Sequence, residues 1–230
     1  MRYITKRPQP EWYRDFRRGK TNLNWDSFTR SHQAEKDRLK QELLEEQHYL
    51  CGYCGAEVSM RNSHIEHVIP RSLLASRNFQ NITPLSYPNL LVSCQARRHP
   101  EGDDTCGHAK GNWYDPNLFV VPHATDCETY FAYTHAGEMI PASSDTFSPE
   151  YRKAATTLEK LHLDTYALNT ARKEMISVAL GDDLETPLTI EELELLHHEY
   201  QRPDDQGRLK PYCFAVLRVL ESELALLQNA

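Results

Sequence analysis

Nowhere does the sequence approach the ~20 consecutive apolar residues that cross a bilayer. The longest such runs, Leu118–Pro122 and Cys213–Leu220, are of core length. The opening Met-Arg-Tyr-Ile-Thr-Lys-Arg-Pro has no apolar segment behind it, so a secretory signal is not expected. Glycine and proline are scarce, 9 and 13 in 230 residues, and neither an internal repeat nor a low-complexity tract occurs, which excludes fibrous and disordered classes. With 40% apolar and 26% charged residues, the chain reads as globular. Its length suits one sizeable domain, or a small domain with a helical extension, in the cytoplasm.

The net charge of −7 argues at first against nucleic-acid binding, but it is unevenly spread. Residues 1–112 hold 17 basic and 13 acidic side chains, and residues 113–230 hold 9 and 20. Arg2, Lys6, Arg7, Arg14, Arg17, Arg18 and Lys20 crowd the first twenty positions, opposed by Glu11 and Asp15 alone. A basic front and an acidic back can steer a polyanion to one face, although a solvated arm explains the charge equally well.

Cysteine is more informative. Cys51 and Cys54 form a Cys-x-x-Cys in a glycine-flanked knuckle, with Cys94 and Cys106 further on; Cys127 and Cys213 stand apart as small buried hydrophobes. Reduced thiols at this spacing read as a metal half-site or a redox motif. A redox motif opens a helix after a strand, whereas here a helical pattern precedes the pair. Four thiolates in two groups suit a structural, tetrahedral Zn²⁺.

The periodicity predicts an amphipathic helix from Trp25 to about Leu50. Short strands are expected at Glu57–Met60, His64–Ile69 and Leu90–Ser93, with helical turns at Cys106–Asn112. A hairpin is expected from Glu128–Tyr133 and Glu138–Ile140, and helices at about 149–162, 165–180, 189–201 and 211–228. Glu191, Glu192, Glu194 and Glu199 surround one buried leucine face, and His197-His198 beside them reads as surface charge.

Chemistry concentrates in His64-Ile65-Glu66-His67-Val68-Ile69-Pro70-Arg71-Ser72, with a second polar cluster at Cys106-Gly107-His108-Ala109-Lys110-Gly111-Asn112. Two imidazoles and a carboxylate within four residues exceed what strand packing needs. If a sheet and a short helix bring the clusters together, they form one site. A neutral imidazole can take a proton from water near pH 7, because its ordinary pKa is about 6.5.

The order Cys-x-x-Cys, acidic-His-apolar-apolar-Pro, Asn89-Leu90-Leu91-Val92-Ser93-Cys94 and Cys-x-x-x-Lys-Gly resembles the zinc-containing HNH endonucleases of the ββα-metal fold. Within that superfamily it is most similar to the nuclease subunit of Septu anti-phage systems, also found beside some retrons. The N-terminal Met-Arg-Tyr-Ile-x-Lys and Leu161-His162-Leu163-Asp164 after the hairpin extend the likeness along most of the chain. The fold so implied is α+β and predominantly helical. Residues 1–48 form a basic arm and helix, 49–120 the nuclease core with its four-cysteine knuckle, and 121–230 a hairpin with an acidic helical region for partner docking.

The resemblance implies metal-dependent phosphodiester hydrolysis by the effector of a bacterial anti-phage complex. His67 is the general base and Glu66 a ligand of Mg²⁺ or Mn²⁺. The usual helix ligand, three residues before the lysine, falls on Gly107. His108 and Asn112, one turn apart, are its natural substitutes, with His108 preferred. Asn89 positions the loop carrying the base, Arg71 and Lys110 meet substrate phosphates, and His64 supports Glu66 from behind. Arg97, Arg98 and His99 lie in a loop that could touch the substrate backbone. The implied partners are DNA or RNA, an ABC-like ATPase and, in retron-linked cases, a reverse transcriptase carrying its own DNA. Two other classes stand beside this reading: a zinc-knuckle binding module with a decayed site, motivated by Gly107, and, distantly, a thiol oxidoreductase at Cys51 and Cys54.

Overall fold

The structure, a computed structural model, describes residues 1–76, 79, 81–95, 104–181 and 188–228. Arg97, Arg98 and His99 lie outside them. Nine helices and two small antiparallel sheets are present among the described residues: α1 (Glu11–Arg17), α2 (Trp25–Ser31), α3 (Gln33–Glu46), β1 (Ser63–His67), α4 (Arg71–Ser76), β2 (Leu90–Cys94), α5 (Cys106–Lys110), β3 (Phe131–Tyr133), β4 (Met139–Pro141), α6 (Pro149–Leu161), α7 (Tyr166–Leu180), α8 (Ile190–Gln201) and α9 (Cys213–Gln228). No helix among the described residues is long and apolar enough to cross a membrane.

The single helix expected over Trp25–Leu50 is two. Asn24 and Ser27 close a capping box on α2, and the chain breaks at His32 (φ −134°, ψ 55°) before α3 resumes. The break turns Phe28 (α2) and Leu39 and Leu43 (α3) into one core. Helix α1 forms within the basic N-terminal arm and buries Tyr13. Glu57–Met60 is not a strand; only Glu57 makes a bridge, to Leu50.

β1 and β2 pair antiparallel, with His64 opposite Ser93, Glu66 opposite Leu91 and His67 opposite Leu90. Two strands alone bury little, so the rest of the chain braces them. Gln47, at the end of α3, accepts from Val92 N (2.6 Å) and donates to Val92 O (2.9 Å), serving as a side-chain partner for the edge of β2. Buried Glu46 takes Arg7 N (2.7 Å), the Tyr87 hydroxyl (3.0 Å) and the Lys6 ammonium. His48 and Tyr49 then take positive φ and turn the chain into the cysteine knuckle.

The C-terminal helices belong to the same core. Gly55, at φ +77°, faces Phe214 of α9 so closely that a β-carbon there would lie 2.1 Å from the ring. Tyr212 N donates to Gly55 O (2.9 Å) and Leu209 N to His48 O (3.2 Å). Cys127 and Cys213 are fully buried within this core.

Candidate functional site

The sulfurs of Cys51, Cys54, Cys94 and Cys106 all lie within 4.8 Å of one another, so the four could hold a metal such as zinc. Cys54 Sγ and Cys94 Sγ are 3.9 Å apart, close to the about 3.8 Å that ~2.3 Å Zn–S bonds give in a tetrahedron. The knuckle after α3 supplies Cys51 and Cys54, while the end of β2 and the start of α5 supply Cys94 and Cys106. Cys106 reaches its place at φ +57°. Burial opposes ionisation of Cys51, yet sulfur hydrogen bonds from Cys106, Cys54 and Cys94 hold it well below the usual thiol range; Cys106 is pushed up in return. A divalent cation is what lets a cluster of buried thiols ionise together.

β1 starts opposite Cys94 of this cluster and carries His67 at its far end. His67 is buried, with its ring edge-on to Trp25 (centroids 4.4 Å apart) and Nε2 2.9 Å from Pro84 O. That carbonyl can only accept, so Nε2 carries the proton and Nδ1 keeps its lone pair. Burial lowers the His67 pKa to about 4, against the opposing pull of Pro84 O and Glu66, which leaves the ring neutral at pH 7. Pro84 is itself held in place: Tyr13 Oη (3.0 Å) and Arg17 Nη1 (2.8 Å) both donate to Leu85 O.

Asn89 brackets the residues after β1, accepting from Ile69 N (2.8 Å) and donating to Ile69 O (3.0 Å), while Val68 N donates to Asn89 O (2.9 Å). Glu66 points at α5. Its Oε1 is 2.8 Å from Lys110 Nζ and its Oε2 3.6 Å from His64 Nε2. Burial alone would raise the Glu66 carboxyl; His64 and Lys110 hold it below the usual carboxylate range. The buried Tyr53 hydroxyl is pushed well up by burial and by the Glu66 charge.

Lys110 departs from its expected role. Its side chain is fully buried and its ammonium donates to His67 O (3.1 Å) and pairs with Glu66, so it faces inward to the strand. Arg71 is exposed and paired with Asp26 (2.8 Å). Asn112 Oδ1 accepts from Ser72 Oγ (3.0 Å), which ties the end of α5 to α4. His108 is exposed, with its ring centroid 4.7 Å from that of His64.

Glu66, His67, Arg71, Asn112 and Trp25 line one cleft of about 480 Å³. A second, of about 600 Å³, is lined by Arg14, Arg17, Arg18, Lys20, Trp25 and Pro84. Trp25 and Pro84 are shared with the His67 site and went unnoticed in the sequence. Trp25 there reads as a core position, and nothing local marks Pro84 as an acceptor.

A short antiparallel pair feeding a short helix, with a buried neutral imidazole beside an acid and a thiol cluster behind, is a site suited to metal-assisted hydrolysis. No family model matches the chain. It is 27% identical over 209 residues to an Escherichia coli protein named "Retron Ec83 putative HNH endonuclease", covering 76% of this chain and 79% of that one. It is 30% identical over 145 residues to the counterpart of retron Vc95 from Vibrio cholerae, which carries the same designation, covering 63% of this chain and 66% of its relative. The two likenesses support an HNH nuclease family.

Proposed function

We propose that the chain is a metal-dependent HNH endonuclease that hydrolyses nucleic-acid phosphodiester bonds as the effector of an anti-phage defence complex. The observation that carries this reading is the His67 environment: a neutral imidazole with Nε2–H pinned to Pro84 O, which leaves the lone pair on Nδ1, and a carboxylate one residue away. Nδ1 takes the proton of the attacking water as its oxygen bonds to phosphorus and the bond to the leaving oxygen breaks. Trp25 and Pro84 fix the ring, and Asn89 fixes the loop behind it. Glu66 is the residue that would hold a catalytic Mg²⁺ or Mn²⁺, which when bound neutralises the phosphate and stabilises the leaving oxygen. Cys51, Cys54, Cys94 and Cys106 would hold a structural Zn²⁺.

The basic cleft of Arg14, Arg17, Arg18 and Lys20 runs up to Trp25 and supports a polyanionic substrate. The retron designation of the two relatives supports the defence context. An ABC-like ATPase and a reverse transcriptase with its DNA are the proposed partners. Docking on the acidic helices is supported by exposed Val178, Leu195, Leu226 and Leu227.

The test is cleavage of DNA and RNA by the chain, alone and with its neighbouring gene products, in Mg²⁺ or Mn²⁺ and in chelator. Divalent-dependent cutting lost in His67→Ala, roughly 10²–10⁴-fold, supports the reading. Cutting that persists undiminished in that variant removes it, and binding without any cutting favours the decayed module.

A further inference from the structure

In the resembling family the second cation ligand comes from the helix, at the position that is Gly107 here. A β-carbon at Gly107 would stand 3.0 Å from Glu66 Cδ, from Glu66 Oε2 and from His64 Nε2. A side chain there would press on both groups, so the space is taken up from the strand side. His64 and Glu66 are two residues apart and leave β1 on the same face. Their separation of 3.6 Å lies within the about 4.2 Å that two ~2.1 Å metal–ligand bonds can span.

The buried Tyr53 hydroxyl, a neighbour of Glu66, has no hydrogen-bond partner among the described residues, and neither has buried His64 Nδ1, the ring nitrogen other than the one that faces Glu66. Buried polar groups left open point to a ligand or water that completes the site. The other candidates fit less well. His108 is exposed, with its ring 4.7 Å from that of His64, and Asn112 is engaged by Ser72.

We infer that His64 supplies the second protein ligand to the catalytic cation, the donor having moved from the helix to the strand, with Gly107 small because His64 occupies its volume. This rests on the nuclease reading above. An imidazole–carboxylate pair binds Mn²⁺ more tightly than Mg²⁺, since a nitrogen donor favours the transition metal.

The experiment is an Mn²⁺ titration by electron paramagnetic resonance on the zinc-loaded full chain, for the parent, His64→Ala, Glu66→Gln and His108→Ala. His64→Ala and Glu66→Gln are each expected to weaken Mn²⁺ binding at least about tenfold, and His108→Ala less than about threefold. The double variant His64→Ala/Gly107→His, which returns an imidazole to the helix, is expected to recover most of the affinity. Zinc content and melting temperature report folding, and His64→Gln, which keeps the packing, replaces the alanine variant if that one unfolds. Parent-like Mn²⁺ affinity in His64→Ala and His64→Gln, with loss in Glu66→Gln, overturns this assignment and leaves the nuclease reading standing. Loss in His108→Ala as large as in Glu66→Gln overturns it equally. A parent chain that neither binds Mn²⁺ nor cleaves overturns both.

Discussion

At Asn89 a single amide holds both backbone groups of Ile69 while buried at 3% exposure. Asn89→Ala leaves two buried backbone groups open. It should cost about 2–4 kcal/mol, measured by denaturant unfolding, and lower cleavage further than the stability loss explains. Gly107→Ala tests the crowding around Glu66. The added methyl must displace a carboxylate or an imidazole, so divalent affinity should fall while the melting temperature moves by only a few degrees. Both residues show where sequence reading succeeds and stops. Asn89, Glu66 and His67 stand out in the sequence because their types and order carry chemistry, and the fold brings the segments that carry them together. The inward turn of Lys110 was not legible, because a buried ammonium is decided by acceptors 43 residues away at His67. Gly107 showed only as a gap, since what fills it comes from another element.

Among the elements, β1, β2 and α5 are too short to hold their own geometry, and the thiol cluster joins the last two to the knuckle. Cys94→Ser should release the metal and lower the melting temperature by well over 10 °C, read by calorimetry with zinc analysis, because metal binding energy becomes folding energy. Phe214→Ala should cost about 3–5 kcal/mol and loosen the knuckle through Gly55, although Phe214 lies more than a hundred residues away in sequence. The four cysteines, the hairpin and helices α6 to α9 were legible from spacing and period. The His32 break was not, because Phe28, Leu39 and Leu43 keep an apolar stripe that a straight helix would also show. Nor was α1, whose charged surface masks one buried tyrosine.

For the whole molecule, acid is the condition that separates the folded from the unfolded chain. His67 and His123 are both lowered to about 4 by burial, His123 with help from Lys6. Unfolded imidazoles titrate near 6.5, so between about pH 6.5 and 4 the unfolded chain binds more protons than the folded one. Stability should therefore be full above pH 6.5 and fall as pH drops toward 4, and His123→Gln should flatten that decline in pH-dependent melts. Charge acts at the same scale. Neutralising Arg18 and Lys20 should weaken nucleic-acid binding across all sequences and make the salt slope of log K shallower by about 1–2, with the melting temperature unchanged. The uneven charge was visible in the sequence, but the cleft that aims it at Trp25 arises only when α1 and α2 fold against Leu85.

Anomalous diffraction from crystals soaked in Mn²⁺, with data at the manganese and zinc edges, tests most directly whether the end of β1 is a metal-dependent cleavage centre. We predict a zinc peak among the four cysteine sulfurs and one manganese peak bonded to Glu66 and His64, on the strand that carries His67. A cleft without manganese, or manganese held by other residues away from His67, would contradict the proposed chemistry.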